Sequence, residues 1–243
     1  MSFLKMHSGV SYREYVFEIL VRKSARSYLE IGVRDGETLA LVDAPSIGVD
    51  PHFNIQSNVI GRKKRMLLFQ MTSDEFFREY DPRLLLGGPL DAVFLDGLHQ
   101  FEYLLRDFIN SEAVCHRDSV IMLDDCLPNH SEMTERTFNP EEREHKETAH
   151  WWTGDVWKVV QILKRYRPDL HMVTADTQPT GNVALTDLDP SSTVLRDNYY
   201  NIVAEYLALP SDDAAIEQFY NEIQLTSTSS ILSGFEASTF VGP

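Results

Sequence analysis

The chain predicts a doubly wound α/β fold. Two observations carry that prediction: short runs that are apolar at nearly every position, and helix-like stretches lying between them. A strand apolar on both faces belongs to a sheet covered on both sides, and strands that alternate with helices build such a sheet in parallel. With 243 residues and 43% hydrophobic content, one domain with one large core is expected.

The first element is a helix over 12–23, with Tyr15, Ile19 and Arg22 or Val16, Leu20 and Lys23 marking its faces. It packs on the sheet or covers a ligand. Strands are expected at 27–31, 46–49, 66–69, 91–95 and 119–123, and helices at 37–42, 73–80 and 101–114. Ser73 is read as an N-cap, with Glu75 and Glu79 on the solvent face. After Asp125 the pattern stops. Residues 126–153 are polar, with Pro128, Pro140 and a charged run from Glu141 to Glu147, which reads as a mobile lid or a disordered insertion. Helical spacing resumes over 155–167, where Val156, Val159, Val160 and Leu163 form one core stripe. Strands at 170–175 and 182–186 bring the sheet to about seven, and 194–209 reads as a helix. The last dozen or so residues form a disordered tail or a dimer arm. The domain thus divides into an N-terminal helical cap (1–26), a core (27–190) that includes the lid, and a C-terminal extension (191–243).

A formal charge of -15 argues against a general nucleic-acid surface. The basic run Arg62, Lys63, Lys64 and Arg65 is read as a solvated turn. Cys115 and Cys126 are too few for a disulfide scaffold, lack zinc spacing and suit a reducing compartment. With no apolar leader after Lys5 and no run near the roughly 18 apolar residues a membrane helix needs, a cytoplasmic protein without membrane contact is expected.

Asp96 follows one buried run, and Asp124 and Asp125 follow the next. Like charges gathered at one sheet edge repel unless a cation or a hydrogen-bond network holds them, which points to a hard divalent metal. At the first strand, Gly32 and Gly36 let the backbone turn sharply and approach a ligand. Two glycines four apart, preceded by Glu30, differ from the dinucleotide fingerprint and favour a ligand with a positive group over a pyrophosphate. Asp50 ends the second strand, twenty residues after Glu30, where a carboxylate grips ribose hydroxyls; by itself it is also a turn residue before Pro51.

The segments EIGVRDGET, GVDP, MTSDEFF, FLDGLH and MLDDC together resemble class I S-adenosylmethionine (SAM)-dependent methyltransferases. The resemblance covers 28–125 and is to the metal-dependent small-molecule O-methyltransferases that act on catechols or on macrolide and aminocoumarin sugars. It implies a Rossmann-like, seven-stranded, mostly parallel sheet with helices on both faces and an antiparallel last strand. It assigns Glu30, Gly32 and Gly36 to the cofactor loop, Thr38 to a hydroxyl near the SAM carboxylate, Asp50 to the ribose, and Ser73 or Asp74 to the adenine edge. The family's metal triad is an Asp followed 28 and 29 residues later by Asp-Asp or Asp-Asn, and Asp96, Asp124 and Asp125 have that spacing.

Asp96 is thereby implied to face cofactor, metal and reaction at once. The implied reaction is methyl transfer to a hydroxyl of a small molecule, with Mg2+ or another divalent cation lowering the pKa of the acceptor oxygen. His99, three residues after Asp96, either accepts the proton or orders the metal loop through a hydrogen bond. Leu98 stands where relatives often carry an acid. Trp151 and Trp152 are suited to stacking on an acceptor ring, while Trp157 reads as core. His130, His145 and His150 are solvated loop histidines or approach the substrate as the lid closes. A homodimer formed through the tail fits a chain of this kind. The competing reading is a catalytically inactive protein that keeps the fold for cofactor binding or regulation. A nicotinamide-dependent oxidoreductase would need a different glycine loop.

Overall fold

In the computed structural model, which describes residues 3–233, the apolar runs become the strands of one sheet. They are β1 (Tyr28–Ile31), β2 (Ser46–Val49), β3 (Met66–Phe69), β4 (Leu90–Leu95), β5 (Cys115–Leu123), β6 (His171–Ala175), β7 (Asn182–Thr186) and β8 (Leu225–Thr226). Their order is β3-β2-β1-β4-β5-β7-β6-β8. The five from β3 to β5 are mutually parallel, and β7 runs antiparallel to both of its neighbours. The expected seven strands are present, with the antiparallel one in seventh place. An eighth, β8, adds two residues beside β6.

The strands alternate sides as a pleat requires. Leu29, Ile31, Val93, Leu95, Ile121 and Leu123 enter one core, and Tyr28, Ala92, Phe94, Val120 and Met122 enter the other. The second core is covered by α1 (Tyr12–Arg22) through Tyr15, Val16 and Ile19. The first is covered by α5 (Phe101–Glu112), α6 (Trp157–Tyr166), α7 (Val194–Leu207) and α8 (Asp213–Glu222). Short helices α2 (Glu37–Ala40), α3 (Ser73–Glu79), α4 (Pro82–Leu86) and α9 (Thr228–Leu232) complete the layers. Arg167, just past α6, is buried and grips Glu112 of α5 through two hydrogen bonds of 2.6 and 2.9 Å, which fixes these helices end to end.

Several details depart from the sequence reading. β5 starts at Cys115 instead of 119, with a register shift against β4 between Leu90 and Ala92. The cap of α3 is Thr72 and not Ser73: the Thr72 hydroxyl accepts from the Glu75 amide at 3.2 Å, and Glu75 returns the bond to the Thr72 amide at 3.0 Å. Such a box satisfies two helix-end amides at once, an advantage Ser73 lacks because no glutamate stands three residues beyond it. Lys63 is buried, not solvated, with its Nζ donating to the Leu39 carbonyl at 2.7 Å. Helices α4, α8 and α9 and strand β8 were not foreseen.

Segment 126–153 is packed rather than disordered. It contains three single 3-10 turns, Ser131–Thr134, Pro140–Glu142 and Lys146–Thr148, and buries Leu127, His130, Met133, Arg143 and Thr148. Arg143, within the charged run, is 3% exposed and donates to the Ala149 carbonyl at 2.9 Å and to the Glu135 carboxylate. Helical periodicity was absent because side-chain to backbone bonds organise this chain. Arg136 joins it to the start of α5, contacting Asp155 at 2.8 Å and Glu102 at 3.0 Å. The tail expected to be disordered or to form a dimer arm falls mostly on 234–243, outside the described residues. Among the described residues no helix is long and apolar enough to cross a membrane.

Candidate active site

The order of the strands reverses between β1 and β4, and open α/β sheets place ligand crevices at the carboxyl ends of the strands at such a point. Gly32 makes the crevice possible. Its φ is +88°, and a Cβ there would stand 1.8 Å from the carbonyl oxygen of Asp96, so only glycine lets the end of β1 lie against the end of β4. The loop is then tied to β2 by Asp50, whose carboxylate accepts from the amides of Arg34 at 2.8 Å and His52 at 2.7 Å.

A cavity of about 840 Å³ opens here, within the size range of small-molecule sites. Its lining includes Gly32, Asp50, Ser73 and Asp74 together with Asp96, His99, Asp124 and Asp125. Asp74 is already engaged by Arg106, at 2.8 and 2.6 Å. Glu30, Gly36 and Thr38, expected around the cofactor, are not among the lining residues. Glu30 lies two residues from Tyr28 and so shares its face of the sheet, where it accepts a 2.7 Å hydrogen bond from the Tyr28 hydroxyl. Burial pushes its carboxyl up to about 8, against the pull of that bond. Gly36 is the left-handed N-cap of α2, hemmed in by Val59, and Thr38 is buried behind it.

At the acidic end, the parallel register sets Leu95 beside Leu123, so Asp96 and Asp124 leave the sheet side by side. Asp125 has a φ of +57° and accepts from the Thr180 hydroxyl. His99 Nε2 stands 3.5 Å from Asp96 and 3.3 Å from Asp125. Its Nδ1 donates to the Trp152 carbonyl at 2.5 Å. Burial works against the charged imidazole, but Asp125 and Asp96 outweigh it and push the ring up to about 9. Burial together with the charges of Asp125 and Asp96 drives Asp124 well above the carboxylate range, and burial drives Asp125 up to about 6.

These residues fit a divalent cation. Asp96, His99 and Asp125 present ligand atoms within 4.8 Å of one another. Asp124 lines the same cavity and is 6% exposed, with the Asn182 amide 3.4 Å from its carboxylate.

Lining residues that went unnoticed in the sequence include Tyr12, Tyr103, Asp107, Phe138 and Thr180. Asp107 carried a signal, being a carboxylate on the apolar face of α5 between Leu104 and Phe108. Burial pushes it up to about 7, and its Oδ1 is buried without a hydrogen-bond partner. An unpaired buried acceptor on a cavity wall fits a ligand that brings a donor. Trp151, Trp152 and His150 also line the cavity, Trp157 is in the core, and His130 and His145 lie elsewhere in the covering segment.

No family model matches this sequence, and no curated protein does. In shape, the chain is similar to the O-methyltransferase TomG from Streptomyces achromogenes, involved in tomaymycin synthesis and solved in complex with SAM. The identity is 14% and the TM-score 0.52, over 74% of this chain and 82% of that one. It is also similar to the O-methyltransferase from Bacillus cereus in complex with SAH, at 13% identity and a TM-score of 0.49, over 76% and 84% of the two chains. The likeness to TomG shows the fold, a Rossmann-like methyltransferase fold.

Proposed function

We propose that this chain is a SAM-dependent, divalent-metal-dependent O-methyltransferase acting on a hydroxyl of a small molecule, of the sugar or catechol kind. The observation that carries the reading is one cavity lined by two chemically distinct groups of residues. A carboxylate held by two amides and the Asp107 oxygen without a partner make up one group, and the acidic cluster around His99 makes up the other.

Asp50 would take the ribose hydroxyls with its remaining lone pairs, and Asp107 and Ser73 the donors of the adenine edge. Asp96 and Asp125 would hold the cation, with Asp124 beside them. A bound divalent ion lowers the pKa of a hydroxyl oxygen and orients it. His99 would present Nε2 to the same cation, because Nδ1 already donates to the Trp152 carbonyl. Leu98, Phe138 and Trp151 would supply an apolar wall for the acceptor's carbon frame.

The test is methyl transfer from radiolabelled SAM to a panel of catechols and sugars, with and without EDTA, beside calorimetry with S-adenosylhomocysteine (SAH). Transfer that EDTA abolishes and Mg2+ restores is the expected result, with SAH bound in both conditions. Full transfer in excess EDTA would remove the metal from the reading. SAH bound without transfer to any acceptor would favour a cofactor-binding protein, and no SAH binding at all would overturn both.

A further inference from the structure

The covering segment carries a second cluster of metal-ligating side chains, apart from the cavity. His130, Glu132 and His145 present ligand atoms within 4.8 Å of one another, and the rings of the two histidines have centroids 4.5 Å apart. We propose that these three residues form a separate site for a divalent transition metal of the zinc type, which clips the covering segment into its folded shape.

His130 is buried, and its Nε2 is engaged with the Thr148 hydroxyl at 2.6 Å. Nδ1 is the ring nitrogen left for a ligand. It is buried with no hydrogen-bond partner and stands 3.8 Å from Oε2 of Glu132. Glu132 is in turn fixed by the amides of Glu144 at 2.8 Å and His145 at 3.1 Å. A cation between this nitrogen and the carboxylate would bond to both and satisfy the buried Nδ1.

The arrangement has the form of a prepared metal site. Metal-binding histidines donate their other ring nitrogen to a fixed acceptor, and the Thr148 hydroxyl stands 2.6 Å from His130 Nε2 to serve as one. Two imidazoles and one carboxylate suit zinc or a neighbouring transition metal better than magnesium. Zinc bonds of about 2.0–2.1 Å in a tetrahedron separate the ligand atoms by about 3.4 Å, so the 3.8 Å gap closes with a small side-chain rotation. The clip would close the loop from 130–132 to 145. Arg143 within that loop donates to the carbonyls of Ala149 and Trp151, so the clip would also steady the Trp151 side of the cavity.

The site is tested in the full chain carrying Asp96→Asn and Asp125→Asn, which disables the cluster in the cavity. Metal-stripped protein is titrated with Co2+ and followed by its visible absorption. One equivalent should bind with the intense bands of four-coordinate cobalt. Adding Glu132→Gln or His145→Asn should weaken binding at least about 100-fold. Thr148→Val, which removes only the hydroxyl beside His130 Nε2, should weaken it about 10- to 100-fold. Circular dichroism of each variant without metal establishes that it is folded. No cobalt bound in the double variant, or binding that survives both Glu132→Gln and His145→Asn, would overturn the proposal.

Discussion

His99 and Trp152 are joined twice. The His99 ring donates to the Trp152 backbone carbonyl at 2.5 Å and stacks on the Trp152 indole with centroids 4.9 Å apart. The residue that faces the acidic cluster is therefore aimed by the segment that covers it. Gly154 permits this closeness: its φ is +53°, and a Cβ there would stand 1.7 Å from the carbonyl oxygen of His99.

Trp152→Leu removes the stacking but leaves the carbonyl in the backbone. Loss of such orienting contacts typically costs 10- to 100-fold in metal affinity. Calorimetry should show about a tenfold weaker divalent ion and an SAH affinity changed less than about twofold. An equal loss for both ligands would mean that the indole supports the whole cavity and not His99.

Asp50→Asn keeps one acceptor for the loop amides but removes the charge that would grip the ribose. Hydrogen bonds to a charged group contribute about 1.5–3 kcal/mol, so SAH should bind at least about tenfold more weakly in calorimetry. An unchanged SAH affinity would assign Asp50 to the loop alone.

Glu30 makes stability depend on pH. Its folded pKa of about 8 lies above the ordinary 4.5, so the folded chain holds the proton more tightly than the unfolded one. This contribution to stability is complete below about 4.5 and is lost as pH rises through about 8. Glu30→Gln, which cannot ionise, should show a smaller fall in Tm between pH 6 and 9 than the parent chain. Parallel Tm profiles for the two proteins would contradict the buried, protonated acid.

Gly32→Ala places a methyl group against the Asp96 carbonyl in a backbone conformation that L-residues avoid. The left-handed conformation costs roughly 1–2 kcal/mol and overpacking roughly 1–3 more. Urea unfolding should show a loss of about 2–5 kcal/mol, and SAH binding should weaken because the loop and the end of β4 are forced apart.

Much of the scaffold was legible because its causes are local. The runs that became β1, β2, β4 and β7 are mostly apolar, and burial on two sides is what such runs demand. Segment 126–153 was opaque for the opposite reason. Its order comes from Arg143, Glu132 and Thr148 bonding to backbone groups several to many residues away, which leaves no period in the sequence. The N-cap of α3 is legible in principle, since Thr72 and Glu75 stand at capping-box spacing, although the neighbouring Ser73 is also a residue type that caps helices.

The candidate site divides along the same line. By itself the sequence determined that Asp96, Asp124 and Asp125 close two buried runs, because strand ends are set by local hydrophobic pattern. Only the tertiary structure decided that His99 joins Asp96 and Asp125, that Glu30 points into the sheet layer, and that Asp107 lines the cavity with one oxygen left without a partner. Those outcomes depend on the register of β4 against β5, on the pleat of β1, and on a loop that reaches back to His99 across more than fifty residues. Interactions at that separation leave no spacing in the chain, and only packing selects them.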